Sequence, residues 1–331
     1  MPDAPVRTAL VGCGNIAARH AQVLCELPET RLAAVVDLDV SRARAFSERH
    51  GAPLVKSVES LLTRVDVDAV VLAVPADKHA ELGLRCVEAG KAVLSEKPID
   101  VDPARAAALV GQAARRGVSL SVVAQNRFFD DVLWLREALA KGALGRVIAV
   151  EAATIWRRDQ AYYDAAPGRG RFDRAEGGVL LNQAVHCLDL MLWLCGPVAS
   201  VASHSATLSH EMACEDTAVL ALRFASGALG TLLATTSAIA EPERIEVRCE
   251  RATVALSGGV ATHFACEPGV DVRPPSRSDA PPAPLDKLEP FRRQHRDFAA
   301  AVRERRPPLV TGAEALAVVE LVASAYRGAR A

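Results

Sequence analysis

One alternation in the first 125 or so residues restricts the fold more than any other feature of the chain. Short apolar, β-branched runs at 6–12 (VRTALVG), 31–37 (RLAAVVD), 53–56, 68–74 (DAVVLAV), 92–96 and 118–123 are separated by helical patterns near 15–27, 40–50, 77–89 and 103–116. Strands that are apolar on both sides are covered on both faces, and strands separated by helices pair in parallel through crossovers. A doubly wound parallel sheet flanked by helices is therefore expected over residues 1–125.

After residue 126 the texture changes. A helix near 130–141 leads to a strand at 147–155, a polar loop and an apolar helix. Strands at about 198–208, 216–224, 228–237, 244–249 and 252–257 follow, joined by short turns such as "ASG" (225–227). This succession suits an open, mostly antiparallel sheet. A Pro-rich loop, 273–285, precedes helical patterns at 288–304 and 313–328. The expected class is α/β: a Rossmann domain at 1–125 and an α+β domain at 126–331, its last helix (313–328) packing back on the first. A length of 331 residues suits two such domains.

The first strand ends in "GCGNIA", with Gly12, Gly14 and Ala17 in G-x-G-x-x-A spacing. Following a strand and opening a helix, this loop has the context of a dinucleotide-phosphate cradle. Gly12 serves the tight turn, Gly14 the close approach of a pyrophosphate, and Ala17 the packing of helix on sheet. Asp37 ends the second strand, where a carboxylate accepts hydrogen bonds from ribose hydroxyls and repels a 2′-phosphate. That favours NAD over NADP, although Arg42 and Arg44 downstream pull the other way.

Two further signals sit at carboxyl ends of parallel strands, where doubly wound folds bind ligands. "AVPADKHAE" (73–81) carries Pro75 and His79, and "LSEKPI" (94–99) carries Glu96 and Lys97. Lys97 there could polarise a hydroxyl or carbonyl as a fixed cation; by position alone it is equally an exposed turn lysine. In "GGVLLNQAVHCLD" (177–189), Asn182, His186 and Asp189 share one stripe if the segment is helical. A lone histidine on an apolar helix is ordinarily a satisfied core residue, but the company of Asn182 favours a site. Upstream, "IWRRDQAYYDAAPGRGRF" (155–172) interleaves Arg157, Arg158, Arg169 and Arg171 with Trp156, Tyr162, Tyr163 and Phe172. Aromatic faces suit sugar rings, and arginines suit phosphate or carboxylate.

Charge excludes little but directs much. Lysine plus arginine, 39, balance aspartate plus glutamate, 40, so no global field draws the chain to nucleic acid or an anionic membrane. No secretory leader or apolar run of spanning length is read, and a cytoplasmic protein is expected. The eight cysteines lack C-x-x-C spacing and read as reduced thiols; no metal site is expected.

"GCGNIA", "AVPADKHAE", "SEKPI" and "GGVLLNQAVHCLDLMLWLCG", in this order, resemble the Gfo/Idh/MocA oxidoreductase family, and the likeness extends to "TGAEALAVVELVASAYRGA" near the C-terminus. The resemblance implies NAD(H) or NADP(H), here NAD. The cofactor would be held by Gly12, Gly14, Asn15, Ile16, Ala17, Asp37, Pro75, His79, Glu96 and Lys97. It implies a small sugar or cyclitol substrate, and a homodimer or homotetramer through the outer face of the C-terminal sheet. It puts Lys97 near the nicotinamide, with a Lys97–Pro98 bond that is commonly cis. It makes His186 the acid/base. At the position four before, frequently Asp in the family, stands Asn182, which can orient a hydroxyl but carry no proton or charge. Arg157, Tyr163 and Arg169 join Asn182 and His186 as substrate contacts, and Asp189 is left to orient the imidazole or to bond backbone elsewhere. "NQ" (182–183) and the "YY" pair resemble members acting on nucleotide sugars, but "GRG" (168–170) lacks the tryptophan found there. The activity implied is oxidation of a secondary hydroxyl of a sugar, aminosugar, glycoside or cyclitol to a ketone, with C3 of a hexose unit as a subtype by analogy. The alternatives are an NADPH-linked ketosugar reductase and a non-catalytic NAD-binding regulator.

Overall fold

The computed structural model describes residues 4–165, 168–171, 177–277, 286 and 288–328. The chain forms two units, 1–124 with 287–316 and 125–286 with 317–331. In the first, β1 (Val6–Val11), α1 (Asn15–Glu26), β2 (Thr30–Val36), α2 (Val40–His50), α3 (Val58–Leu62), β3 (Ala69–Leu72), α4 (His79–Glu88), β4 (Ala92–Ser95), α5 (Pro103–Arg116) and β5 (Leu120–Val122) follow in turn. The strands make one parallel sheet in the order β2-β1-β3-β4-β5. Burial on both faces explains the unbroken apolar runs; all of Ala69-Val70-Val71-Leu72 is inaccessible. The run at 53–56 is not a strand. It begins with Pro53, which has no N–H for a ladder, and only Leu54 bridges to Val35.

The second unit contains α6 (Asp130–Ala140), β6 (Val147–Ile155), α7 (Gln160–Asp164), α8 (Val179–Asn182), α9 (Val185–Cys195), β7 (Val198–Ala206), β8 (Thr217–Phe224), β9 (Leu229–Thr235), β10 (Arg244–Cys249), β11 (Ala252–Ser257) and β12 (Val260–Cys266). Its sheet runs β12-β11-β10-β6-β9-β8-β7 and is antiparallel except where β6 pairs with β9. β8 alternates strictly, Ala218, Leu220, Leu222 and Phe224 inward, Val219, Ala221 and Arg223 outward. β12 was not anticipated. It is a largely exposed edge strand with little apolar pattern, although the Gly258-Gly259 turn before it, at φ 56° and 86°, is a hairpin signal.

Two helices close the chain, α10 (Glu289–Glu304) and α11 (Gly312–Gly328). The domain boundary expected at 125/126 differs from the observed division in one respect: 287–316 joins the first unit. The reason is the apolar face of α10. Phe291, Phe298 and Ala299 belong to the same buried cluster as Leu10, Leu24, Val35 and Leu94. From Ala317 onward α11 belongs to the second unit, where Ser203 Oγ donates to the Ala325 carbonyl. All eight cysteines are free thiols. Among the described residues no helix is long and apolar enough to cross a membrane.

Candidate active site

The first unit's sheet order reverses between β1 and β3, and the loops after these strands touch there. Gly12 has φ +94°, and a Cβ on it would lie 2.2 Å from the Ala73 carbonyl oxygen, so both conformation and space demand glycine. Gly14 differs: its φ is −79° and a Cβ would meet nothing within 4 Å. The bare Gly14 therefore leaves open space over the loop. α1 begins with no side-chain cap, so its first N–H groups remain available to an anion. Ala17 is fully buried under the helix.

Asp37 closes this cradle from the end of β2. One carboxylate oxygen accepts from the Cys13 N–H at 2.8 Å and the other from the Asp39 N–H at 2.8 Å, with Arg42 Nε 3.9 Å away. It braces the glycine loop as well as ending the strand. A Cβ-free opening, an uncapped helix start and a carboxylate beside them are the donor and acceptor set that NAD requires.

The loops after β3 and β4 are tied together by His79. Its Nδ1 lies 2.6 Å from the Pro98 carbonyl oxygen and its Nε2 2.9 Å from that of Val74. Burial pulls its pKa down, against the pull of the two carbonyls. Both ring nitrogens are thus engaged with backbone, and the Pro75 carbonyl accepts from the Lys78 N–H at 2.9 Å in the turn before it. The Lys97–Pro98 bond is cis.

Glu96 is buried, and burial alone would raise its pKa, but His20 and Lys97 hold the carboxyl down at about 2. One oxygen lies 3.1 Å from His20 Nε2 and the other accepts the Lys97 N–H at 3.1 Å. His20 Nδ1 in turn lies 3.0 Å from His295 Nε2 of α10, whose pKa burial drives well down. This buried file Glu96–His20–His295 was missed in the sequence. Its signal was available: Ala17, His20, Ala21 and Leu24 form one buried stripe of α1, a polar residue on an apolar face.

In the second unit, the segment carrying Asn182 and His186 is not one helix. The Ala184 N–H bonds the Val179 carbonyl at 2.8 Å, one residue further back than an α-helix allows, and Gln183 and Ala184 separate the end of α8 from the start of α9. Such π-type irregularities concentrate at functional sites. Glu215 caps α8 twice, its carbonyl accepting from Val179 N–H and its carboxylate from Leu180 N–H, each at 3.0 Å. A Cβ on Gly178 would fall 2.2 Å from that carboxylate. Asn182 is half-buried, its Nδ2 3.5 Å from the Tyr162 hydroxyl. His186 is buried with its ring 6.2 Å from that of Trp156.

Asp189 takes neither role left open for it. It receives a bidentate grip from Arg127, Nε at 2.8 Å and Nη2 at 2.7 Å, and Arg127 also stacks 5.1 Å over Trp193. Of the loop candidates, Tyr163 turns inward, its hydroxyl 2.7 Å from Thr236 Oγ1 and its pKa raised by burial. Arg157 is exposed, and its carbonyl accepts from Arg158 Nη1. Arg169 lies 4.2 Å over the Tyr162 ring and donates to the Tyr162 carbonyl. Tyr162, not among the expected substrate contacts, is the loop residue whose hydroxyl adjoins Asn182, and Arg158 lies 5.0 Å over its ring. Phe172 lies outside the described residues.

Residues 6–124 match a model described as an oxidoreductase family with an NAD-binding Rossmann fold, and 132–255 match the GFO/IDH/MocA C-terminal domain. The chain belongs to the Gfo/Idh/MocA family. Its residues 6–124 carry the NAD-binding Rossmann fold of that oxidoreductase family. The inositol 2-dehydrogenase of Rhizobium meliloti is 33% identical over 200 residues, 60% of this chain and 58% of that protein. The D-glucoside 3-dehydrogenase of Escherichia coli is 32% identical over 212 residues, 62% and 59% of the two chains. The match thus spans less than two thirds of either relative. The WlbA dehydrogenase of Bordetella pertussis, solved with NADH and UDP-GlcNAcA, is 30% identical with a TM-score of 0.85 over 98% of this chain and 97% of that one.

Proposed function

We propose that this Gfo/Idh/MocA member is an NAD-dependent dehydrogenase that oxidises a secondary hydroxyl of a sugar, aminosugar, glycoside or cyclitol unit to a ketone. The observation that carries the reading is the helix break at 183–184. It sets an imidazole, His186, and an amide, Asn182, on the two sides of a π-type irregularity with an aromatic ring at each. Bound NAD supplies the two-electron acceptor for the carbinol hydrogen. His186 takes the hydroxyl proton as general base. Asn182 orients the hydroxyl, and the Lys97 ammonium stabilises the charge that develops on its oxygen. Glu96 keeps a carboxylate beside the Lys97 backbone, and Asp37 disfavours a 2′-phosphate. The names of the two dehydrogenase relatives support the substrate class, and that of the glucoside 3-dehydrogenase supports C3 of a hexose as the carbon oxidised. We place the protein in the cytoplasm as a homodimer or homotetramer joined through the outer face of the second unit's sheet.

The test is NADH formation from a panel of glycosides, aminosugars, inositols and nucleotide sugars. His186→Ala should lower turnover about 10²–10⁴-fold and leave NAD binding intact, and Lys97→Ala should lower turnover comparably. Near-normal rates in both variants would rule out the assigned roles.

A further inference from the structure

Arg158 follows β6 directly, and its backbone is fixed on both sides. Its N–H donates to the Thr236 carbonyl at 2.9 Å, and its own carbonyl lies 3.1 Å from His210 Nε2. The side chain sits half-buried between two rings, the guanidinium carbon 5.9 Å from the centre of Trp156 and 5.0 Å from that of Tyr162. Trp156 neighbours His186, and the Tyr162 hydroxyl neighbours Asn182. The cation therefore lies within 6 Å of both rings that adjoin the polar residues of the helix break.

Among the described residues no carboxylate pairs with it. Nη1 donates to the Arg157 carbonyl, and Nε is buried with no partner. Three described acids are turned elsewhere: Asp159 accepts from the Tyr162 N–H, Asp164 from Gln160, and Asp216 from Leu208 and Ser209 N–H beside His210. A half-buried cation without a counter-ion has given up part of its hydration, and the two neighbouring aromatic rings recover only part of that. A second guanidinium, Arg169, lies over the same Tyr162 ring. With Nη1 on the Arg157 carbonyl and Nε buried, Nη2 is the Arg158 donor left to meet an anion, in a charge-assisted hydrogen bond of the kind carboxylates and phosphates accept.

We infer that the Arg158 guanidinium beside Tyr162 is a subsite for an anionic substituent, a carboxylate or phosphate group carried by the sugar. The inference deepens the dehydrogenase reading and rests on it for the nature of the rest of the substrate.

The probes are methyl glucoside, methyl glucuronide and glucose 6-phosphate, each titrated calorimetrically into NADH-loaded protein and each assayed for NADH formation from NAD. At least one charged probe should bind tenfold or more tightly than the neutral one, and the arm that wins tells carboxylate from phosphate. Arg158→Gln should cut that ratio about tenfold or more, the loss expected for a hydrogen-bonded charge. Should this variant fold poorly, the wild-type preference must still shrink as ionic strength rises. Equal binding of neutral and charged probes, or a preference that neither Arg158→Gln nor salt reduces, overturns the subsite. Charge-dependent binding without oxidation of any probe upholds the subsite and counts against the dehydrogenase reading. Oxidation with no charge preference does the reverse.

Discussion

At the residue scale, two glycines of one motif do different work, and alanine separates them. Gly12→Ala drives a methyl into the Ala73 carbonyl at a positive φ, so it should destabilise the protein by about 2 kcal/mol or more. Denaturant midpoints would report it. Gly14→Ala meets open space at an ordinary φ. Its stability should be unchanged while NAD affinity falls, because the methyl occupies the room a pyrophosphate needs. Equal stability losses in the two would contradict this division. Glu243 adds a pH dependence. Its carboxyl lies near Asn126 Nδ2 and Thr154 Oγ1, and burial pushes its pKa up to about 7. A carboxyl raised on folding stabilises fully below its unfolded pKa of about 4.3, and that contribution is lost as pH rises through the folded value. The stability of the wild type relative to Glu243→Gln should therefore decline between about pH 4 and pH 7, read from denaturation curves at each pH. A flat difference would remove Glu243 from the account.

At the element scale, most helices and strands were legible because their local chemistry agrees with their burial. α5 is an example: Asp102 caps it, Pro103 opens it and Gly117 ends it at φ +63°. The elements that were misread lacked such agreement. The run at 53–56 has the right residues but a proline and a single bridge, and β12 has a ladder but little apolar pattern. The stretch 177–189 reads as one helix because apolar residues at every phase suit a buried helix with or without a break. At the break the Val179 carbonyl takes two N–H groups, from Gln183 and Ala184, and Glu215, 35 positions from Leu180, holds the start of α8, a contact that no local pattern announces. Helix α10 makes the same point for packing. Its amphipathic period announced a helix but not which core it would complete. Phe298 is buried with Leu10 and Val35, so Phe298→Ala should cost about 3–5 kcal/mol. Urea unfolding that resolves the two units should place that loss in the first.

At the scale of the molecule, the outward side of the second sheet carries Val219 opposite Leu233 and Leu229 opposite Arg223, with the three apolar side chains well exposed. If this face joins subunits, Val219→Glu with Leu233→Glu should shift the mass measured by light scattering to that of a monomer, and an unchanged mass would exclude it. The sequence by itself determined the doubly wound sheet, the glycine cradle with Asp37, and the polar residue types set on the apolar stretch 177–189, because each is written in local spacing: a period, a turn, a strand end. Only the tertiary structure decided which polar groups face one another. Asp189 was claimed by Arg127, Tyr163 by Thr236, and His79 by two backbone carbonyls. His20 was joined to a histidine 275 positions away. A buried polar group takes whichever partner the packing brings within about 3 Å, and that choice is made by side chains distant in the chain.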